Sequence, residues 1–306
     1  MVTDSANSHA LWQVNNLRGG LIPVADRGLA YGDGLFETMY FCKSRCALLD
    51  WHRQRLLSGC ERLRIPLTQD CFEQQLQQFL AGIGAQQMAS LSENTSPLAG
   101  IVKLIVTRGV GGRGYVPASA PQPQLIWQWS PFSVSQASSD EASQRANDGV
   151  CLSLSDVRLA KQPLLAGLKH LNRLEYVLAA QQACDNAMPL LLDSDDHVVE
   201  ALSHNIFMVS AGQLITPALT ACGVDGVLRQ FTRQQLAPRL NIQWREDVVT
   251  WDALLSADEV FIGNSVRGFW PVVAIKSADL EQTWSVGPVC QQLQHSHQQY
   301  LHSIHG

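Results

Sequence analysis

The residues best suited to chemistry sit in the stretch Gly167-Leu168-Lys169-His170-Leu171-Asn172-Arg173-Leu174-Glu175-Tyr176-Val177-Leu178. Leu171, Leu174, Val177 and Leu178 recur at helical spacing, which predicts an amphipathic helix with that face buried. Lys169 stands two residues before this apolar run. An amine held at the mouth of such a helix sheds part of its hydration and becomes usable as a nucleophile or a base. The chain carries only five lysines, Lys43, Lys103, Lys161, Lys169 and Lys276, so few amines could condense with a carbonyl. A solvated charge at a helix start is the plainer reading.

Other stretches could hold an anion. Thr107-Arg108-Gly109-Val110-Gly111-Gly112-Arg113-Gly114-Tyr115 places four glycines and two arginines after an apolar strand. Such a loop suits a carboxylate or a phosphate, because guanidinium offers a planar fork of donors. It lacks the Gly-Lys-Ser/Thr ending of a nucleotide-binding phosphate loop, and a hairpin loop would look the same. Arg53, Arg55 and Arg62 lie close together on a predicted helix that opens at Asp50 and buries Leu56, Cys60 and Leu63. Thr220 to Phe231 reads as a loop feeding a helix, whose first N–H groups form a ready anion site. Glu200 stands between two strand-forming stretches, as either a carboxylate brought out of a sheet or an edge-strand glutamate. Asp258 to Ser265 reads as a strand ending in two small polar donors, Asn264 and Ser265.

These residues need a frame, and the composition allows one. The chain has 306 residues, 46% hydrophobic and 16% charged, enough for one large or two medium domains with real cores. A net charge of −5 gives no basis for nucleic-acid or membrane-surface binding. The opening residues lack the basic start and apolar run of a signal peptide, and no apolar run has membrane-spanning length. Eight cysteines are scattered without a Cys-x-x-Cys pair, which points to reduced thiols in a cytoplasmic protein and to no metal site.

Strands are predicted at 11–14 and 21–24 as a hairpin, within 34–41, at 101–106 and at 125–129, with helices from residue 50 and over 69–81. The polar run 86–98 reads as a loop. The Ser- and Gln-rich segment 131–148 reads as the linker between two halves. The second half continues with strands at 150–154, 190–193 and 198–209. Its Gln- and His-rich tail matches no zinc spacing.

Taken together, Tyr31-Gly32-Asp33-Gly34, Phe36-Glu37-Thr38, the Arg108–Tyr115 loop and Lys169-His170-Leu171-Asn172-Arg173-Leu174-Glu175 resemble the fold-type IV pyridoxal-phosphate enzymes. The resemblance is nearest to the aminodeoxychorismate lyase family and covers nearly the whole chain. It implies a two-domain α/β (α+β) fold, a small N-terminal α/β domain (1–130) divided at the 131–148 linker from a larger C-terminal domain (149–306) that has a barrel-like sheet. It also implies a homodimer and pyridoxal 5'-phosphate as cofactor. By this resemblance Lys169 bonds covalently to the cofactor, Glu200 pairs with its ring nitrogen, and Arg55 holds its phosphate. Val224 and Asp225 match amides cradling that phosphate, Asn264 a side-chain partner with Ser265 beside it, and Asn172, in the lysine motif, is a further cofactor-binding residue.

The implied reaction converts 4-amino-4-deoxychorismate to 4-aminobenzoate and pyruvate, a step of folate biosynthesis. Lys169, once freed, would act as the base and Thr38 as a relay. Arg108 and Arg113, with Arg27 as a third candidate, would meet the two carboxylates of the substrate. A D-amino acid or branched-chain aminotransferase would use the same lysine, glutamate and phosphate site. A catalytically silent metabolite-binding homologue is the reading from another class.

Overall fold

A computed structural model describes residues 11–89, 99–132, 140–183, 187–276 and 281–305. Its contacts divide the chain into two units, one of Met1–Ser138 with Lys169–Asn172 and the other of Ser139–Leu168 with Arg173–Ile304.

The first unit runs β1 (Leu11–Val14), β2 (Leu17–Arg18), α1 (Arg27–Tyr31), β3 (Gly34–Cys42), β4 (Arg45–Cys46), α2 (Leu49–Leu63), α3 (Gln69–Ala89), β5 (Ala99–Thr107) and β6 (Gln124–Pro131). The strands form one sheet in the order β2-β1-β6-β5-β3-β4, antiparallel at every pairing. Alternation explains why β3, β5 and β6 are strands. Leu35, Met39, Phe41, Val102, Leu104, Trp127 and Trp129 are buried, while the residues between them are mostly half-exposed, as expected when one face is covered. Leu56 and Cys60 of α2 and Phe72 and Phe79 of α3 are buried with them. Phe72 and Phe79 lie 5.9 and 5.5 Å from the Trp127 ring, and Phe41 lies 5.0 Å from Trp129. Each such aromatic pair adds about 0.5–1.5 kcal/mol beyond its area burial.

The expected return strand at 21–24 is instead β2. Asn15 and Asn16 both have positive φ, so the chain reverses in a two-residue turn and leaves Leu21 and Val24 exposed. The helix expected over 69–81 extends to Ala89. The rest of the polar run, 90–98, lies outside the described residues.

The second unit holds α4 (Asp140–Asp148), β7 (Val150–Leu159), α5 (Leu174–Gln181), β8 (Met188–Asp193), β9 (Val198–Ala201), β10 (His204–Ser210) and β11 (Gln213–Pro217). There follow α6 (Val227–Phe231), a π-helical turn (Thr232–Leu236), α7 (Ala237–Arg239), β12 (Gln243–Asp247), α8 (Trp251–Leu255), β13 (Glu259–Asn264), β14 (Gly268–Lys276), β15 (Glu281–Thr283) and α9 (Pro288–His305). Because β9 pairs with β10 as well as with β8, the path β10-β13-β14-β7-β8-β9 closes on itself as a six-stranded barrel; β11, β12 and β15 extend it. Leu152, Leu190, Ile206, Ile262, Trp270 and Val272 belong to one buried apolar cluster.

Segment 131–148 therefore ends in a helix, α4, that packs on β14, while 133–139 lie outside the described residues. The tail forms α9, which buries Cys290, Leu293 and His297. No helix of the described residues is long and apolar enough to cross a membrane.

Candidate functional site

In the first unit, the segment Lys169–Asn172 lies along the start of β3. Phe36 N donates to Lys169 O at 3.0 Å, Leu171 N to Gly34 O at 3.0 Å, and His170 bridges Leu35 in antiparallel fashion. The approach requires small residues. A Cβ on Gly34 would stand 2.8 Å from Leu171 Cδ1 and 2.3 Å from Val106 O, and Gly32 has φ +64. Asn172 Nδ2 donates to Gly32 O at 3.3 Å, so Asn172 fastens the segment to this turn.

The result is a half-buried amine over an aromatic face. Lys169 Nζ lies 4.2 Å from the Phe36 ring centroid, a cation–π distance. Phe36 and Thr38 point to the same side of β3, because side chains alternate along a strand. Thr38 pairs in register with Lys103, and Lys103 Nζ lies 5.7 Å from the same ring. Lys169, Thr38 and Lys103 thus belong to one surface. Sequence reasoning passed over Lys103. Its signal was a cation on the half-exposed parity of the strand Ile101–Val106, where apolar residues otherwise dominate.

On the opposite face of β3, Glu37 is buried and binds two residues of α2. Arg55 Nε donates to Glu37 Oε1 at 2.8 Å, Arg55 Nη2 contacts Oε2, and His52 Nδ1 lies 2.6 Å from Oε2. Burial pushes the Glu37 carboxyl up, but Arg55 and His52 outweigh it and hold the group down at about 2. His52 is held below its ordinary value, by burial first, against the pull of Glu37. Arg55 is therefore a pre-oriented cation, its fork set by a carboxylate beneath it.

The loop arginines have separate work. Arg108 donates to Asp33 through Nε (2.7 Å) and Nη2 (2.9 Å), and to the carbonyls of Leu63 and Arg64 at 2.8 Å each. It closes the C-terminus of α2, where a cation is favoured. Arg27 donates to Asp33 (2.8 Å) and to the carbonyls of Gly114 (3.0 Å) and Tyr115 (2.7 Å). Burial raises the Asp33 carboxyl, yet the two arginines hold it below the ordinary range. Two of the three candidate substrate arginines, Arg27 and Arg108, thus act as buried staples of the glycine-rich loop. Arg113, on that loop, is exposed.

In the second unit, Glu200 lies on β9, a strand paired on both sides rather than an edge strand, and is 3% exposed beside the α5 residue Tyr176. Donors from separate elements reach its carboxylate, among them Tyr176 Oη at Oε1, and Val224 N (3.1 Å) and Asn205 Nδ2 (3.4 Å) at Oε2. Asn205 Nδ2 also donates to Val224 O at 2.8 Å. Sequence reasoning missed Tyr176 and Asn205, because neither partner is adjacent to Glu200 in sequence.

The amides expected to cradle an anion are engaged within the chain. Val224 N donates to Glu200, and Asp225 N to Gly167 O at 3.0 Å. The helix starts three residues later, at Val227 with Gly226 as its N-cap, so the first-turn amides without intrahelical acceptors are those from Val227 onward. Asn264 is likewise engaged: Nδ2 donates to Ser203 O (3.2 Å) and contacts His204 Nε2 (2.8 Å), while Oδ1 accepts from Val266 N and Arg267 N. His204 Nδ1 meets Leu202 O at 3.0 Å, and burial holds this imidazole down at about 4. It is thus neutral, with the proton on Nδ1 and Nε2 accepting from Asn264. Ser265 follows in the same turn.

The expected buried stripe of the lysine helix is the opposite of what forms. Leu174, Val177 and Leu178 are 77, 49 and 53% exposed. The helix starts at Leu174 and packs through Tyr176 and Ala179 on Leu159, Leu191 and Val199.

The aminodeoxychorismate lyase of Vibrio harveyi is 31% identical over 287 residues, covering 93% of this chain and 98% of that protein. The crystal structure of 4-amino-4-deoxychorismate lyase from Pseudomonas aeruginosa superposes with a TM-score of 0.82 at 39% identity, covering 94% of this chain and 97% of that one. A putative branched-chain-amino-acid aminotransferase of Methanocaldococcus jannaschii is 30% identical over 261 residues, covering 83% of this chain and 82% of that protein. Residues 34–275 match the amino-transferase class IV family, and the chain belongs to that family.

Proposed function

We propose that the chain converts 4-amino-4-deoxychorismate to 4-aminobenzoate and pyruvate with pyridoxal 5'-phosphate as its cofactor, supplying 4-aminobenzoate for folate. The observation that carries the choice of substrate is the likeness to two lyases over more than nine-tenths of this chain, at 31 and 39% identity. The residues present fit the cofactor. Lys169 offers an amine for the aldehyde, and Glu200 a buried carboxylate for the ring nitrogen. Arg55 offers an oriented cation for the phosphate, with the amides from Val227 onward and the Ser265 hydroxyl as further donors. Bound there, the cofactor supplies an electron sink for the pair left when a C–H bond breaks.

The chain's own residues do the rest. Lys169, in its neutral form, takes the proton from the substrate ring carbon that bears nitrogen. The enol-ether C–O bond breaks, the proton returns to the departing three-carbon enol, and pyruvate leaves. No water enters the balance, and aromatisation of the ring drives it. Thr38, on the surface that carries Lys169, would bind substrate or pass the proton. Lys103 and Arg113 meet the two carboxylates, while Arg27 and Arg108 hold the loop that presents Arg113.

The proposal includes a homodimer, for which the exposed Leu29, Tyr31, Val110 and Tyr115 offer apolar surface. It also includes the cytoplasm, in keeping with the seven described cysteines being free thiols.

The test is product identity. Purified protein with cofactor and aminodeoxychorismate releases 4-aminobenzoate and pyruvate in equal amounts, and Lys169→Ala abolishes both. Exchange of amino groups between amino and keto acids, with no 4-aminobenzoate, would instead establish the second reading. That reading is an aminotransferase using the same Lys169 and Glu200, favoured by the 30% identity with the putative branched-chain enzyme.

A further inference from the structure

The clamp on Glu200 draws on three separate elements. Tyr176 comes from α5, Asn205 from β10 and Val224 from the loop before α6, and all three donate to one carboxylate. Tyr176 is itself fixed. The Arg173 guanidinium lies 4.7 Å from its ring centroid and donates to Leu168 O at 2.9 Å, the carbonyl just before Lys169. Glu175 accepts from Ala160 N at 2.8 Å, which ties α5 to the end of β7. The helix that follows the amine-bearing segment thus also supplies the hydroxyl that meets the acid.

We infer that Tyr176 is a positioning residue for Glu200: its hydroxyl holds the carboxylate charged and fixed in direction, so that the N–H of a protonated heteroaromatic ring can be bound against it. This rests on the cofactor reading above and extends it to a residue outside the lysine, glutamate and phosphate set. Burial, with the Glu200 charge next, pushes the Tyr176 phenol well above its ordinary range, so the hydroxyl keeps its proton and stays a donor. A donor to a buried carboxylate favours the charged form. Without it, Glu200 takes a proton more readily and can turn to other partners, and a cationic ring nitrogen loses its counter-charge.

Tyr176→Phe removes one oxygen and keeps the ring, so α5 retains its packing. The experiment compares two probes on cofactor-free protein by quenching of tryptophan fluorescence: pyridoxal 5'-phosphate and its deaza analogue, in which carbon replaces the ring nitrogen. Wild-type protein binds both, and better with nitrogen present. In Tyr176→Phe the dissociation constant for pyridoxal 5'-phosphate rises about tenfold, equivalent to ~1.4 kcal/mol, while that for the deaza analogue is unchanged. Asn205→Ser, which removes a second donor from the same carboxylate, shows the same selective loss and serves if Tyr176→Phe fails to fold. Equal weakening of both probes would make Tyr176 a packing residue and overturn the inference, as would no weakening of either. Failure of the wild-type protein to bind pyridoxal 5'-phosphate at all would instead refute the cofactor reading.

Discussion

Replacing Arg108 and Arg113 in turn separates two kinds of arginine that one loop carries. Arg108 is 8% exposed and makes two hydrogen bonds to Asp33 and one to each of two carbonyls at the end of α2. Arg108→Gln leaves Asp33 with Arg27 as its remaining arginine, so the carboxylate is not stranded, but both helix-end carbonyls lose a charged donor. Breaking a buried pair outright costs about 3–5 kcal/mol. With Arg27 still in place the expected loss is about 2–4 kcal/mol, counting the charge-assisted bonds removed. For a chain of this size that lowers the melting temperature by roughly 3–6 °C. Arg113→Gln alters an exposed side chain and stays within about 0.5 kcal/mol of wild type in stability. It removes a carboxylate contact, however, and kcat/KM for 4-aminobenzoate release falls about 10- to 100-fold. Denaturant unfolding and steady-state kinetics on both variants decide the matter. An Arg108→Gln protein that unfolds like wild type yet loses substrate affinity would refute the staple assignment.

Acid should loosen the second unit in a defined window. Burial holds His204 and His297 down at about 4, against 6.5 for a free imidazole. The unfolded chain binds more protons between those values, so stability present above pH 6.5 drains as pH falls toward 4, by at most about 3 kcal/mol per histidine. Urea midpoints at pH 7 and about pH 5 measure this, and equal midpoints would contradict it. Gly226→Ala places a Cβ 2.0 Å from Asn205 Oδ1, displacing the side chain that ties Val224 to Glu200. Its affinity for pyridoxal 5'-phosphate falls, whereas Gly112→Ala, with nothing within 4 Å of its Cβ, binds as wild type; equal affinities would contradict the clamp.

Much of the frame was legible because alternation and helical spacing report burial directly. β3, β5 and β6 follow the period of two, and α2 buries Leu56 and Cys60 as its spacing predicts. Periodicity does not say what covers a face. The stripe of Leu174, Val177 and Leu178 is apolar yet exposed, while α5 packs through Tyr176 and Ala179. Long-range pairing was illegible too. Arg108 meets Asp33 from 75 residues away, and Glu200 is off the sheet edge only because β9 pairs with β10 as well as β8. The start of α6 was misplaced because Gly223 and Gly226 both offer a break, and only the second is its N-cap.

The central claim is that one amine, Lys169, bonds the cofactor. Purified protein is incubated with pyridoxal 5'-phosphate, reduced with borohydride, digested and mapped by mass spectrometry. The predicted result is a single phosphopyridoxyl adduct, on the peptide containing Lys169. An adduct on Lys43, Lys103, Lys161 or Lys276 in its place, or no adduct at all, would contradict the account.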